Sequence, residues 1–205
     1  MAEDRPQIYL ITPPAFDAAE FAPKLASVLD AHEVACIRLS IALKDELEIG
    51  RAADALREVA HARDVALVIE SHVQLAQRHG LDGVHLLDGA RQIRYARKTL
   101  GEEAIVGSFC GASRHEGLNA GEAGADYVCF GPVGETALGT ADRVEFDLFE
   151  WWSEVVEVPV VAEGALSEEL IAQFTPVTDW FALGEEIWRE DDPAAALGRY
   201  IAAMG

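Results

Sequence analysis

Eight short apolar runs recur along this chain, each separated from the next by enough residues to form a helix. They are Ile8–Thr12, Val34–Leu39, Val65–Ile69, Gly83–Leu87, Ala104–Ser108, Asp126–Phe130, Val158–Ala162 and Asp179–Leu183. Their β-branched and apolar residues show little polar alternation, which suits strands covered on both faces, as in a parallel sheet. The segments between them carry helix signals. Asp17 with Glu20 and Ser113 with Glu116 form capping boxes, and Ser167 before Glu168 and Glu169 opens a helix as the macrodipole favours. Phe21, Leu25, Val28 and Leu29 recur at helical spacing, as do Leu47, Ala52, Leu56 and Val59, and Phe146, Phe149 and Trp152. Gly80 closes a short helix from about His72 to His79, and Pro193 opens the last one, Ala194 to Ala203. This alternation favours a single-domain (β/α)8 TIM barrel over residues 1–205. A doubly wound open sheet is the alternative; it would show a Gly-rich phosphate turn where Thr12-Pro13-Pro14 stands.

A chain of 205 residues, half of them apolar, can bury one core without disulfides or metal. Its formal charge of −20 argues against nucleic acid or an anionic membrane as partner, since both require Lys and Arg to neutralise phosphate. A small-molecule ligand is the expected partner, and the oligomeric state stays open. From Asp142 to Asp192 the acidic residues are opposed only by Arg143 and Arg189, a pattern of a solvated acidic surface. Cys36, Cys110 and Cys129 are widely spaced in apolar surroundings and read as reduced thiols. The start, Met1 to Pro6, has neither the basic region nor the apolar stretch of a leader, and no segment is apolar for long enough to span a bilayer; the expected compartment is the cytoplasm.

In a barrel, chemistry gathers where the strands end, here at Thr12, Arg38 with Ser40, Glu70 with His72, Asp88, Cys110, Thr136, Glu163 with Gly164, and Gly184 with Glu185. His85, inside a strand, reads as a hydrogen-bonded core residue, and Cys110 has only Arg114 nearby in sequence to stabilise a thiolate. His72 with Glu70 could form an acid/base pair.

These strand ends resemble the thiamine-phosphate synthase and thiazole tautomerase (TenI-like) family of TIM barrels over nearly the whole chain. The resemblance rests on Ile8-Tyr-Leu-Ile-Thr12, Asp82-Gly-Val-His-Leu86, Gly124-Ala-Asp-Tyr-Val128 with Gly131-Pro-Val133 and Thr136, and Pro159-Val-Val-Ala162 with Gly164. It implies a transferase that joins a pyrimidine diphosphate to a thiazole phosphate, with Mg²⁺ drawing off pyrophosphate. On that pattern Arg38 would hold the diphosphate, Thr136, Gly164, Gly184 and Glu185 would line the ligand site, and Glu70 and Asp88 would serve as replacement metal ligands.

The sequence departs from the family pattern at several positions. Of Gln-x-Arg-x-Lys on strand two, Cys36-Ile-Arg-Leu-Ser40 keeps only Arg38, and the family's Asn-Asp-Arg after strand three reads Glu70-Ser-His72. The second metal-binding Asp falls on Ala90, two residues after Asp88. Thr136-Ala-Leu-Gly139 lacks the family's lysine, Gly-Gly becomes Gly164-Ala165, and the phosphate-binding Ser aligns with Glu185. Glu185 reads either as a carboxylate that repels phosphate or as a helix N-terminal acid facing solvent. Three functions stand as expectations: thiamine-phosphate synthesis, a diverged barrel that binds a neutral or cationic thiazole- or pyrimidine-like ligand, and unrelated proton-transfer chemistry by Glu70 or His72.

Overall fold

The computed structural model describes residues 5–136 and 143–205. Residues 1–4 of the Met1–Pro6 start and the family loop positions 137–139 lie outside the described residues, as does most of the polar loop predicted for 134–142. Eight parallel strands close into a barrel in sequence order: β1 Gln7–Ile11, β2 Cys36–Leu39, β3 Ala66–Glu70, β4 Gly83–Leu86, β5 Ile105–Phe109, β6 Tyr127–Phe130, β7 Val160–Glu163 and β8 Trp180–Leu183. The helices are α1 Ala18–Ala31, α2 Glu46–His61, α3 Val73–His79, α4 Ile93–Leu100, α5 Arg114–Ala123, α6 Phe146–Val155, α7 Glu168–Phe174, α8 Glu185–Trp188 and α9 Pro193–Ala203. The TIM barrel expected from the alternation is the fold observed.

The caps form as the sequence predicts. Asp17 accepts from the amides of Ala19 and Glu20, Ser113 from Glu116 N, and Ser167 from Leu170 N. Gly80 ends α3 in the left-handed conformation at φ 61°. The strand bounds shift slightly: Leu87 lies beyond β4 and is exposed, and Pro159 precedes β7, where its missing N–H costs no ladder bond.

The two faces of the strands feed two separate apolar cores. One, with Leu10, Ile37, Leu67, Val84, Val128 and Phe181, packs outward against the helices. The other, Tyr9, Cys36, Val68, Tyr127, Cys129, Val161 and Ala182, fills the barrel. Arg38, Glu70 and Glu163 each lie two residues beyond a member of this inner set, so the period of two turns them inward as well, one layer nearer the carboxyl ends.

At the opposite face one device repeats three times. The aspartate immediately before β4, β6 and β8 turns its carboxylate back to an amide of the preceding strand: Asp82 to Leu67 N at 2.7 Å, Asp126 to Val106 N at 2.7 Å and Asp179 to Val160 N at 2.8 Å. The same aspartates donate their own N–H to Leu67 O, Val106 O and Val160 O, which fixes the register of each strand pair. Asp179→Ala would leave the amide of buried Val160 without its acceptor and is expected to cost about 1–2 kcal/mol. Asp179→Asn, which keeps an oxygen there, should cost less. Urea unfolding of the two variants checks the order, and equal stabilities would show that the carboxylate does not hold the register.

Candidate functional site

Arg38 stands in the middle of the barrel with 4% of its surface exposed. Its Nη2 lies 2.8 Å from Glu163 Oε2 and its Nε 3.2 Å from Glu70 Oε1, so one guanidinium is held between carboxylates from β3 and β7. Neither Arg38 Nε nor Glu163 Oε2 completes a well-aligned hydrogen bond, so charge rather than directed bonding dominates these two pairings. Glu70 Oε2 accepts from Ser40 Oγ at 2.9 Å, and Thr12 ties the ends of β1 and β2 together through both the N–H and the carbonyl of Ser40.

Below the guanidinium, Nη1 reaches His85 Nε2 at 2.6 Å, and His85 Nδ1 lies 3.0 Å from the Tyr127 hydroxyl. An arginine can only donate, so Nε2 must carry the lone pair and Nδ1 the hydrogen. His85 is therefore a neutral imidazole donating to Tyr127, whose hydroxyl shares a hydrogen bond of 2.8 Å with Tyr9 Oη. Burial, and then the charge of Arg38, holds the His85 pKa well below its ordinary value. For Arg38 burial alone would favour proton loss; the Glu163 carboxylate, ahead of other neighbours, more than reverses this and holds the guanidinium above its ordinary value. Burial also raises the thiols, Cys36 to about 12 and Cys110 to about 11, so neither is a nucleophile at neutral pH.

The remaining predicted residues lie apart from the Arg38 network. His72 sits half-buried ahead of α3, makes no side-chain cap bond and takes no part in the Arg38 network. Asp88 follows β4; its Oδ2 accepts from Gln92 Nε2 at 2.9 Å, while Oδ1 is buried without a partner among the described residues. Thr136, Glu168, Glu169, Glu185, Glu186 and Arg189 line a cavity of about 860 Å³ beside the ends of β7 and β8. Gly164, at φ 91°, lies so close to Pro132 that a Cβ would come within 2.8 Å of it. Among the described residues no group of three or more His, Cys, Asp or Glu side chains could hold a metal ion.

Glu163 is expected from the sequence as a strand-end acid beside Gly164 that would repel phosphate, without its partner Arg38, and Glu186 is not singled out there at all. Glu185 is exposed at the start of α8, whereas Glu186 turns inward and accepts from Gly184 N at 2.8 Å and Leu166 N at 3.2 Å. The signal for Glu163 was its parity with Val161 on β7; for Glu186 there was none, because α8 is a single turn without a readable period.

Residues 8–177 match the family model described as thiamine monophosphate synthase. A thiamine-phosphate synthase of Rhodospirillum centenum is 41% identical over 204 residues, covering 97% of both chains. One of Erythrobacter litoralis is 37% identical over 205 residues, covering 96% of both. Among solved structures, a thiamine phosphate pyrophosphorylase from Pyrococcus furiosus aligns with a TM-score of 0.82 at 21% identity, over 97% of this chain and 95% of that one. A 3-hexulose-6-phosphate synthase from Salmonella typhimurium aligns at 0.74 and 17%, over 96% and 97%. At such identities the structural likeness speaks for the fold alone.

Proposed function

This chain belongs to the thiamine monophosphate synthase family, and we propose two readings of its site: first, transferase activity as a thiamine-phosphate synthase, and second, binding of a small neutral or cationic thiazole- or pyrimidine-like ligand at the carboxyl ends of its strands. The observation that carries the second reading is the clamp on Arg38. The cation that would meet a diphosphate is already held by Glu70 and Glu163, two negative charges against one positive. The nearby cavity adds Glu168, Glu169, Glu185 and Glu186 against Arg189. A phosphate dianion entering there meets net repulsion that grows as water is excluded, whereas a thiazolium or protonated aminopyrimidine meets attraction. Glu70, at the rim of the clamp with its side chain 21% exposed, adds its charge to that attraction while its oxygens meet Arg38 and Ser40. Thr136, Gly164 and Gly184 belong to the same strand ends and supply the site's polar and backbone lining.

The test is thermal stabilisation of the purified protein by hydroxyethylthiazole and by aminopyrimidine, set beside Mg²⁺-pyrophosphate. A ligand at a hundred times its Kd adds about 2.7 kcal/mol of stability, a readily measured shift. Stabilisation by the unphosphorylated heterocycles alone is expected on the second reading; stabilisation by Mg²⁺-pyrophosphate alone would reject it.

The first reading, transferase activity as a thiamine-phosphate synthase with Mg²⁺, is favoured by the family membership, by relatives up to 41% identical over nearly the whole chain and by the unpartnered Oδ1 of Asp88. Glu70 does not fit a metal ligand here, since Arg38 and Ser40 take its oxygens. Asp88 does fit, and Mg²⁺ accepts one or two carboxylates with substrate oxygens and water completing its shell. Bound there, the ion would supply charge to a leaving diphosphate. Incubation with both phosphorylated precursors and Mg²⁺ decides between the readings: formation of thiamine phosphate establishes the first, and its absence leaves the second. Among the described residues no helix is long and apolar enough to cross a membrane. The three free, buried cysteines support placing the protein in a reducing compartment such as the cytoplasm.

A further inference from the structure

Although the chain as a whole carries a formal charge of −20, the outer face of α4 is basic. Arg94, Tyr95 and Lys98 of α4, with Arg91 in the turn that leads into it, are all exposed and follow one another at i, i+3, i+4 and i+7, so they share one stripe. Ile93 and Ala96 of the same helix are buried against the barrel. Arg97 is taken by Asp126 and by the carbonyls of Gly124 and Ala104, whereas Arg91, Arg94 and Lys98 make no ion pair among the described residues. α6 carries the same pattern with the opposite sign. Asp147, Glu150 and Glu154 are exposed at the same spacing around Trp151, and they too make no ion pair among the described residues. Between the two stripes lies α5, joined to α4 through Arg97 and to α6 through Arg114, which donates to Asp147 O and lies 4.9 Å over the Trp151 ring. Tyr95 on α4, Leu118 on α5 and Val155 on α6 are each exposed, so apolar surface and charge of both signs gather on three neighbouring helices.

We propose that α4, α5 and α6 form the interface of a twofold dimer of this chain. A twofold axis parallel to the barrel and passing outside α5 sets α5 against its own copy, with α4 against the α6 of the second copy and α6 against its α4. Each basic stripe then meets an acidic one, twice over, which is the self-complementarity that a twofold interface demands. Contact of α4 with α4, or of α6 with α6, would set like charges together. A nucleic acid or an anionic membrane would meet the acidic stripe beside the basic one, and the charge of the whole chain opposes both. A second copy satisfies both signs at once. Three helix faces of eight to ten residues make a patch at the small end of specific interfaces, so the dimer forms and dissociates with concentration. These helices flank the barrel, and the carboxyl ends of the strands stay open under either reading of the site.

Sedimentation equilibrium of the full chain over a concentration series is expected to show a species of twice the chain mass. Reversing α4 (Arg91→Glu, Arg94→Glu, Lys98→Glu) or α6 (Asp147→Lys, Glu150→Lys, Glu154→Lys) should each weaken the dimer about a hundredfold or more, since like charges then face each other. Mixed together, the two reversed proteins should recover a one-to-one complex, because both stripes of one are then acidic and both stripes of the other basic. All of these positions are exposed, and circular dichroism melts establish that the variants fold. If either does not, Leu118→Arg, which brings two cations together at the axis, takes its place and should also give the monomer. Wild-type protein that stays monomeric at every concentration would overturn the proposal and leave the stripes to another partner. So would a dimer that the reversals leave intact, or assemblies that grow beyond two chains.

Discussion

Replacing Arg38 by methionine is expected to cost about 3 kcal/mol of stability, the lower end of the range for removing one partner of a buried ion pair. The loss comes from the groups left behind. Glu70 and Glu163 would face each other inside the barrel without a cation, and His85 Nε2 would lose its donor. The lower end applies because the two glutamate side chains keep 21% and 15% exposure, so water offsets part of the penalty. For a domain of this size the expected fall in Tm is about 6–12 °C. Glu70→Gln or Glu163→Gln alone should cost much less, since Arg38 retains a carboxylate in either case. The triple variant Arg38→Met, Glu70→Gln, Glu163→Gln should recover most of the loss, because replacing a whole buried ionic group with neutral ones is often close to neutral. Thermal and urea melts of these variants beside wild type measure this. A cost below about 1 kcal/mol for Arg38→Met would show that the clamp is solvated and weak, and with it would go the argument that Arg38 is unavailable to phosphate.

The barrel was legible because its strands are apolar runs at regular spacing and its helices carry local caps. Asp17, Ser113 and Ser167 act on amides two or three residues away, and such contacts are written in adjacent positions. His85 was also legible as a hydrogen-bonded core residue, because a polar side chain inside an apolar run must find a partner. The clamp was not. Arg38 and Glu163 come from β2 and β7, strands that share no ladder and meet only across the interior, so no local spacing pairs them. The resemblance to a diphosphate-handling family pointed Arg38 at a ligand, while this chain's own glutamates meet it instead. The aspartates before β4, β6 and β8 stood in plain view as Asp82, Asp126 and Asp179; what hid them was the absence of any helix or turn signature for a side chain that bonds a neighbouring strand.

Acidification should destabilise the protein through His85, and the effect has a definite direction. In the native barrel the imidazole is neutral, with Nε2 accepting from Arg38 and Nδ1 donating to Tyr127. A proton on Nε2 would confront a guanidinium at 2.6 Å, in a residue with no exposed surface, and its pKa is accordingly held well below the ordinary value. The unfolded chain has no such constraint and takes up the proton near pH 6.5. Above that pH both states leave His85 neutral and it contributes no pH dependence. Below it the unfolded state binds one more proton than the native state, so stability should fall by about 1.4 kcal/mol for each pH unit, until the depressed native pKa is reached. His85→Gln can keep an acceptor for Arg38 and a donor for Tyr127 but has no proton to gain. The variant should therefore show a shallower loss between pH 6.5 and pH 5, with the difference in slope approaching one proton. His85→Leu, which strands both Arg38 Nη1 and the Tyr127 hydroxyl, should be the less stable of the two at every pH. Urea unfolding of the three proteins across that range measures the slopes. Parallel curves for wild type and His85→Gln would show that His85 takes up its proton in the native state as easily as in the unfolded chain, and the neutral tautomer inferred from the Arg38 contact would then be wrong.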